Sequence, residues 1–287
     1  MKDFEYCEPT TLVEAVDLLR HCTGQASLFA GGTDLLVQMK EHIRQPDRVI
    51  NIKKIPGMDD FRFDEIHGLT LGALVTTRAV ETSPITLRHY ASLARAATDF
   101  ASIQVRNRAT VVGNVCRASP SADTLPPLIA DGARLLIHGA EGVREMPLEN
   151  FITGPGKTKL QPDEIVTHIV IPPPPPNTGK VYIKHGRRAQ MELATVGAAV
   201  TLTVEGGVCK EISIVLAAVA PMPLRARTAE ALLRGQPLNA TTIVEAGEAA
   251  SGESRPIGDV RGSADYRRQM VAVLVRRAIE QAWKEAV

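Results

Sequence analysis

The chain has 287 residues, of which 44% are apolar and 23% charged, which suffices for two domains with a sizeable core. Its 33 lysines and arginines nearly balance 32 acidic residues, so its bulk charge does not favour nucleic acid or an anionic membrane as a partner. No apolar run approaches the roughly 20 residues that cross a bilayer, and the first residues lack the pattern of a signal peptide.

The first part of the chain predicts a helix, a strand and a second helix. Thr11 and Glu14 form a capping box before an amphipathic segment, and Gly24 is expected to end that helix. ASLFA, residues 26–30, reads as a short buried strand, and LLVQMKEHI follows as a helix. The glycine pair between them therefore lies at a strand-to-helix turn, where the helix dipole favours an anion by about 1 kcal/mol.

Further strands and helices surround a second polar stretch that contains glycine, QVRNRATVVGNVCRASPSADTL. Thr76 and Thr77 can cap a short helix that begins near Arg78, and residues 86–101 read as one helix. The strands expected in this part of the chain cover residues 48–52, 69–73, 134–138 and 164–172.

The proline run at residues 172–176 has no backbone donors and fits neither a helix nor a sheet interior, so we take it as a domain boundary. Three strands are expected after it, the last two joined by a Glu-Gly-Gly turn. Helices are expected over residues 226–234, 241–251 and 264–286. The fold class is therefore α+β, with an antiparallel sheet and a helical bundle in the C-terminal part.

Neither glycine stretch matches a known nucleotide-binding loop, because the sequence has no GxGxxG after a strand and no GxxxxGK[ST]. What remains is a pair of separated turns, residues 30–34 and 110–114, each combining glycine with short polar side chains. Facing each other, they could hold a pyrophosphate from both sides through N–H and hydroxyl groups, with Asp123 placed to accept a ribose hydroxyl. The alternative is that both are ordinary loops.

The four cysteines are scattered and form no CxxC pair, and the seven histidines show no metal-binding spacing. We therefore expect no metal site and no iron–sulfur cluster in this chain, and reduced thiols in a cytoplasmic protein. The sequence also offers no Ser/His/Asp or Cys/His arrangement, so we name no catalytic residue.

AGGTDLLVQMK together with RATVVGNVCRASPSADTLPPLIA resembles the FAD-binding medium subunits of the molybdenum hydroxylases, the xanthine dehydrogenase and carbon monoxide dehydrogenase family. FEYCEPTTL, IPPPPP and YIKHGRRAQMELATVGAAV extend the resemblance over the whole chain. It implies a two-subdomain FAD-binding domain of the PCMH type at residues 1–176, divided into about 1–55 and 56–176. A C-terminal flavoprotein domain would follow at residues 180–287.

The resemblance also implies that both glycine segments hold the FAD pyrophosphate, with Gly31, Gly32 and Thr33 closest to it. The expected contacts in the first segment are Leu28, Phe29, Ala30, Gly31, Gly32, Thr33, Asp34 and Leu35. Those in the second segment are Thr110, Val111, Gly113 and Asn114.

Four further FAD contacts are implied by the resemblance. Phe100 matches an aromatic residue beside the adenine, where stacking contributes roughly 1–3 kcal/mol, and Asp123 matches an acid at the ribose or ribityl region. Leu160 and Lys184 match positions beside the isoalloxazine, where a lysine would stabilise the reduced ring. Without the resemblance, Phe100 reads as a core aromatic residue and Lys184 as a solvated strand charge.

Two positions depart from the family pattern. Val112 stands where relatives usually have glycine, and because valine rarely adopts a positive φ, this turn is either extended or reshaped. Glu192 stands where many relatives carry aspartate, in a loop near residues 184–192 that bears on access of the electron acceptor.

By resemblance, companion subunits oxidise the organic substrate: a large subunit with a molybdopterin-type cofactor (molybdenum or tungsten) and a small one with two [2Fe–2S] clusters. The complex would be a heterohexamer, a dimer of heterotrimers. Its FAD would pass electrons from the clusters to NAD, a quinone, oxygen or a ferredoxin-like carrier. Two alternatives stay open on the residues alone, a stand-alone FAD-dependent oxidoreductase and a non-redox nucleotide-binding protein.

Overall fold

The computed structural model describes residues 1–188 and 191–287. Its first sheet has three parallel strands in the order β1 (Glu5–Cys7), β3 (Arg48–Asn51), β2 (Ala26–Phe29). Parallel neighbours need crossover connections, which here contain α1 (Leu12–Arg20) and α2 (Leu35–Lys40). The predicted order of helix, strand and helix is confirmed.

The capping of α1 differs in part from the prediction. The Thr11 hydroxyl accepts from the N–H of Glu14, but the Glu14 carboxylate accepts from the N–H of Thr10, so the box is not reciprocal. The prediction that Gly24 ends the helix is wrong, because α1 ends at Arg20. A Cβ at Gly24 would lie 2.0 Å from Oδ2 of Asp47, so this glycine makes room for that carboxylate.

The second sheet is antiparallel, in the order β4 (Phe61–Asp64), β5 (Gly68–Gly72), β10 (Ile165–Ile171), β6 (Arg134–Gly139), β7 (Gly142–Pro147). Six helices connect β5 to β6: α3 (Thr77–Thr82), α4 (Pro84–His89), α5 (Ala91–Asp99), α6 (Ile103–Arg106), α7 (Val111–Arg117) and α8 (Leu125–Ala130). A small hairpin, β8 (Ile152–Gly154) and β9 (Lys157–Thr158), precedes β10.

The single helix predicted over residues 86–101 is wrong, because Tyr90 separates α4 from α5. Its backbone leaves the helical region, with φ −137° and ψ 51°. The side chain is fully buried, and its hydroxyl donates to the carbonyls of Ile171 (3.2 Å) and Pro172 (3.0 Å). We attribute the break to this burial, which anchors the helices to the end of β10.

The C-terminal sheet is antiparallel, in the order β11 (Thr178–His185), β12 (Val196–Glu205), β13 (Val208–Ala217), β14 (Leu224–Arg225). Gly206 and Gly207, with φ +59° and +80°, form the predicted turn between β12 and β13. Three helices follow as expected: α9 (Arg227–Leu233), α10 (Ala240–Glu253) and α11 (Ala264–Ala286). The proline run lies between β10 and β11, outside both strands.

The C-terminal sheet is covered on both faces. One face packs with the helices in a core that includes Val200, Leu202 and Ile279. The other contributes Tyr182 and Ala199 to the core of the preceding part of the chain. This accounts for the nearly continuous apolar run of β12, since a strand buried on both faces has no polar side. None of the helices in residues 1–188 and 191–287 is long and apolar enough to cross a membrane.

Candidate cofactor site

The two glycine segments lie directly against each other. Gly31 follows β2, and a Cβ at this position would fall 2.2 Å from the carbonyl oxygen of Arg108 and 3.0 Å from Cα of Ala109. Real Cβ atoms do not approach this closely, so the contact requires glycine. The structure thus brings together the two segments that the sequence placed about 80 residues apart.

Gly32 is required by the backbone of its own segment. Its φ is +73°, in the left-handed region, and a Cβ would lie 2.3 Å from Cε2 of Phe29. The sequence interpretation ascribed both glycines to close approach of a ligand. The structure adds a cause within the protein, because each glycine is already needed for the fold of the cleft.

The backbone of the first segment presents unused donors. Within the part of the chain that the structure describes, no protein group accepts from the N–H of Gly31, Gly32, Thr33 or Asp34. The first bonded donor after them is Leu36, whose N–H donates to the carbonyl of Gly32 at 3.0 Å. Because α2 has only six residues, these individual N–H groups rather than the helix dipole would hold an anion.

The second segment is the start of a helix, so the prediction of a turn at residues 110–114 is wrong. Thr110 is the N-cap of α7, and its hydroxyl accepts from the N–H of Gly113 at 3.0 Å. Val112 lies inside α7 with its side chain buried, so it needs no positive φ and replaces glycine without strain. Val111 is fully buried beside it.

Gly113 gives α7 an open surface at the site. It is exposed, and outside its chain neighbours and the backbone of its own helix, the one described atom within 4 Å of a Cβ built there is the Thr110 hydroxyl oxygen, at 2.8 Å. A side chain at this position would fill space that a ligand could use. Asn114 is half-buried on the next position of the helix.

A cavity of about 220 Å³ lies between the two segments. It opens beyond the carboxyl ends of the parallel strands β2 and β3, which is where α/β sheets commonly bind ligands. The residues that line it are Ala30, Gly31, Lys53, Leu74, Thr76, Asn107, Arg108 and Thr110.

Two cations line this cavity, and sequence reasoning missed both. Nζ of Lys53 lies 3.7 Å from the ring centroid of Phe29, and its pKa is lowered, first by desolvation and then by the charge of Arg108. Among the described residues, neither cation lies within 4.0 Å of a carboxylate. Both could have been suspected, since Lys53 follows a predicted strand and Arg108 precedes Thr110 in the glycine motif.

An ion pair joins the helices that follow the two segments. Asp34 precedes α2, and its carboxylate lies 2.8 Å from Nε of Arg117 near the end of α7. Asp34 also accepts from the Gln38 side chain. Leu28 and Leu35 are half-buried at the end of β2 and the start of α2, and Thr33 is half-buried between them.

Asp123 does not face solvent as a free acceptor for a ribose hydroxyl. It is buried, and both carboxylate oxygens are bonded: the Tyr182 hydroxyl donates to Oδ1 at 2.9 Å, and Nζ of Lys184 donates to Oδ2 at 2.8 Å. Burial raises the pKa of Asp123 to about 6, while Lys184 and Tyr182 oppose the shift. The interpretation of Lys184 as a solvated strand charge is wrong, because its side chain is only 10% exposed.

The Asp123 cluster is connected to the glycine segments through α7. The hydroxyl of Thr124 donates to Oδ1 of Asn114 at 2.7 Å. On the other side, Nζ of Lys184 donates to the carbonyl of Asp99 at 3.0 Å, next to the half-buried Phe100. The expected residues therefore form one continuous region from the cavity, along α7, to the Asp123 cluster.

The structure places Phe100 and Lys184 at the same corner of this region. Asp99, whose carbonyl binds Lys184, immediately precedes Phe100. The sequence interpretation assigned these two residues to the adenine and the isoalloxazine, which lie at opposite ends of an extended FAD. Both assignments stay predictions.

The remaining expected positions lie at the edge of this region. Leu160 is half-buried after β9, and its N–H donates to the Thr158 hydroxyl at 3.3 Å. The β8–β9 hairpin is tied to the end of α7 by a hydrogen bond of 2.9 Å from the Gly156 N–H to the Ala118 carbonyl. Glu192 accepts from Arg187 and from the N–H of Arg188. Residues 189 and 190 of this loop lie outside the described residues.

No group of three or more His, Cys, Asp or Glu residues that could hold a metal ion occurs in the ranges that the structure describes. The four cysteines are free thiols, three half-buried and one buried. A glycine-lined cleft with two cations and spare N–H donors is a site suited to a phosphate-containing ligand.

Comparison with known proteins identifies the class more closely. Residues 2–174 match the family model "FAD binding domain in molybdopterin dehydrogenase", and residues 181–282 match "CO dehydrogenase flavoprotein C-terminal domain". The chain is 33% identical to the putative xanthine dehydrogenase FAD-binding subunit XdhB of Escherichia coli, over 98% of this chain and 97% of that protein. It is 34% identical to the carbon monoxide dehydrogenase medium chain of Hydrogenophaga pseudoflava, with the same coverage.

Solved structures show the same relationship. A carbon monoxide dehydrogenase chain from Hydrogenophaga pseudoflava superposes with a TM-score of 0.94 at 36% identity, covering 98% of this chain and 97% of that one. A chain of quinoline 2-oxidoreductase from Pseudomonas putida 86 gives 0.92 at 27% identity, covering 100% and 99%. The chain belongs to the family of FAD-binding medium subunits of the molybdenum hydroxylases, which are oxidoreductases.

Proposed function

We propose that this chain binds FAD in the described cleft and passes electrons between the [2Fe–2S] clusters of a small partner subunit and an external acceptor. A large partner subunit would carry the molybdopterin-type cofactor and act on the organic substrate. The observation that carries the proposal is the cavity lined by Gly31, Thr110, Lys53 and Arg108, next to a segment whose N–H groups have no acceptor among the described residues.

The residues fit the parts of FAD in a definite order. The pyrophosphate lies between residues 30–35 and the start of α7, within reach of Lys53 and Arg108. The cavity has room for only part of a dinucleotide, so the rest of FAD extends along α7 toward Asp123. We assign the isoalloxazine to that end, where Lys184 donates to the carbonyl of Asp99, the residue before Phe100, and we keep Leu160 as a further contact.

FAD supplies the chemistry of taking electrons singly or in pairs. The chain's own residues bind it, orient it and set the charge around it, and no side chain is assigned as a general acid or base. We place the chain in a dimer of heterotrimers in the cytoplasm, where its four free thiols remain reduced. We also place a domain boundary at the proline run, between residues 1–176 and 180–287.

A binding experiment tests the assignment of the pyrophosphate. Lys53→Gln and Arg108→Gln should each weaken FAD binding by roughly 10–100-fold, since a hydrogen bond to a charged group contributes about 1.5–3 kcal/mol. Titration of the flavin-free chain with FAD, followed by flavin fluorescence, measures the dissociation constants. Riboflavin, which lacks phosphate, should bind all variants alike.

Lys54→Gln is the matched control, because Lys54 neighbours Lys53 but lies 2.8 Å from the Glu8 carboxylate. It should bind FAD like the natural chain. If the Lys53 and Arg108 variants also did so, the pyrophosphate would have to lie elsewhere. A natural chain that binds no flavin under any condition would overturn the function itself.

A further inference from the structure

Three alternate residues of β11 face the preceding part of the chain with polar side chains. Nζ of Lys180 lies 3.0 Å from the Asp131 carboxylate, while Tyr182 and Lys184 both bond Asp123. The two aspartates flank α8, so the helix is held on the C-terminal sheet by a buried ion pair at each end. Tyr182 lies between these pairs and is not among the expected FAD contacts.

The position of the Tyr182 hydroxyl is closely determined. The residue is 4% exposed, and its hydroxyl donates to Oδ1 of Asp123 at 2.9 Å. A Cβ at Gly197 of the neighbouring strand would lie 3.0 Å from that hydroxyl oxygen, so this glycine leaves the space that the hydroxyl occupies.

Few charges face Asp123. Lys184 is in direct contact on β11, and Asp99 at the end of α5 adds a negative charge that is itself paired with Arg95 at 3.0 Å. From the side of α7 and α8 the neighbouring polar contact is neutral, the bond between Thr124 and Asn114. Burial favours the protonated carboxyl, and the bonds from Lys184 and Tyr182 favour the ionised one.

We propose that Tyr182 is a positioning residue that keeps Asp123 ionised, and so keeps the charge of Lys184 balanced at the flavin end of the site. This inference rests on the proposed function for its effect on the flavin. Without the hydroxyl, Asp123 takes up a proton at higher pH than in the natural chain. Lys184 then becomes an unbalanced cation beside the flavin and stabilises its reduced, anionic form.

The first readout is the pH dependence of unfolding of Tyr182→Phe, followed by the fluorescence of Trp283, the only tryptophan. A carboxyl with a raised native pKa binds more protons in the native state, so its contribution to stability falls as pH rises, here from about pH 4 to about pH 6. In Tyr182→Phe the loss of stability should continue to a pH roughly one unit higher. A shift of that size corresponds to the loss of one hydrogen bond.

Tyr90→Phe is the matched control. Tyr90 is also buried, with Nζ of Lys180 4.5 Å from its ring centroid, but its hydroxyl donates to two backbone carbonyls. Tyr90→Phe should lower the free energy of unfolding without shifting its dependence on pH. If stability fell around the same pH in Tyr182→Phe, in Tyr90→Phe and in the natural chain, the inference would be overturned.

The second readout is the reduction potential of bound FAD as a function of pH. The potential of Tyr182→Phe should exceed that of the natural chain between about pH 6 and 7, and the two should converge above about pH 8, where Asp123 is ionised in both. A difference that is constant with pH would indicate a merely structural effect and contradict the inference. If neither protein bound FAD, the proposed function would fail, while the unfolding profiles would still decide the link between Tyr182 and Asp123.

Discussion

Gly31 shows how closely the two segments of the cleft pack against each other. Its missing side chain lets one segment rest on the carbonyl of Arg108, which forms one wall of the cavity. The same contact sets the width of the cavity and the distance between the donors on its two sides. A change of one methyl group here should therefore act on both stability and binding.

We predict that Gly31→Ala destabilises the chain by about 1–3 kcal/mol, because the added Cβ forces the two segments apart. FAD should be lost with it, and thermal unfolding together with the flavin content of the purified chain measures both. The control is Gly252→Ala in α10, where nothing outside its chain neighbours and its own helix backbone lies within 4 Å of the added Cβ. That variant should be as stable as the natural chain or slightly more so, and should keep its flavin. Gly31→Ala with full flavin occupancy would contradict this description of the cleft.

Residue types could be predicted at this scale, but pairings could not. The glycines, Asp123 and Lys184 all stand out in the sequence as candidates. That Lys184 is bonded to Asp123 depends on two segments 61 positions apart meeting in a buried junction. No local pattern encodes such a contact, so Lys184 reads as solvated until the fold is known.

At the scale of elements, α7 is the most informative. Thr110 caps it, and Val111, Val112 and Val115 on its inner side are buried in the core. The prediction of a turn rested on a glycine next to short polar side chains, and three β-branched valines also have low helix propensity. Tertiary packing of the valines overrides that propensity, and the helix places Gly113 on the open side.

We predict that Thr110→Ala lowers the free energy of unfolding by about 1 kcal/mol through loss of the N-cap, and also weakens FAD binding. The control is Ser263→Ala, which removes the cap of α11, where the serine accepts from the N–H of Tyr266 at 3.2 Å. Chemical denaturation and FAD titration separate the two effects. The Ser263 variant should lose comparable stability and keep its FAD affinity, and equal FAD affinities in both variants would exclude a role for the start of α7 in binding.

The order of elements was largely predictable, because the spacing of apolar residues and the residues that form turns are local signals. β2, β3, the hairpin of β12 and β13, and all three C-terminal helices follow from apolar spacing and glycine turns. The break at Tyr90 could not be predicted, because it depends on the carbonyls of Ile171 and Pro172, about 80 residues away.

At the scale of the whole molecule, the C-terminal sheet packs against the elements that carry the site. One face carries the helices, and the other carries Lys180, Tyr182 and Lys184 against the two aspartates that flank α8. Buried ion pairs contribute little net stability, but they penalise any other alignment of the two surfaces. The junction therefore holds the predicted flavin end in one arrangement, as electron transfer over a fixed distance requires.

The central claim is that this chain is the flavin-carrying subunit of a larger redox complex. The most direct measurement is the absorption spectrum and metal content of the untagged protein purified from its native host. We predict flavin bands overlaid with iron–sulfur absorbance, molybdenum or tungsten, and two further polypeptides. A yellow single polypeptide without iron or molybdenum would contradict the account and indicate a stand-alone flavoenzyme, and a colourless protein would leave a non-redox nucleotide-binding protein.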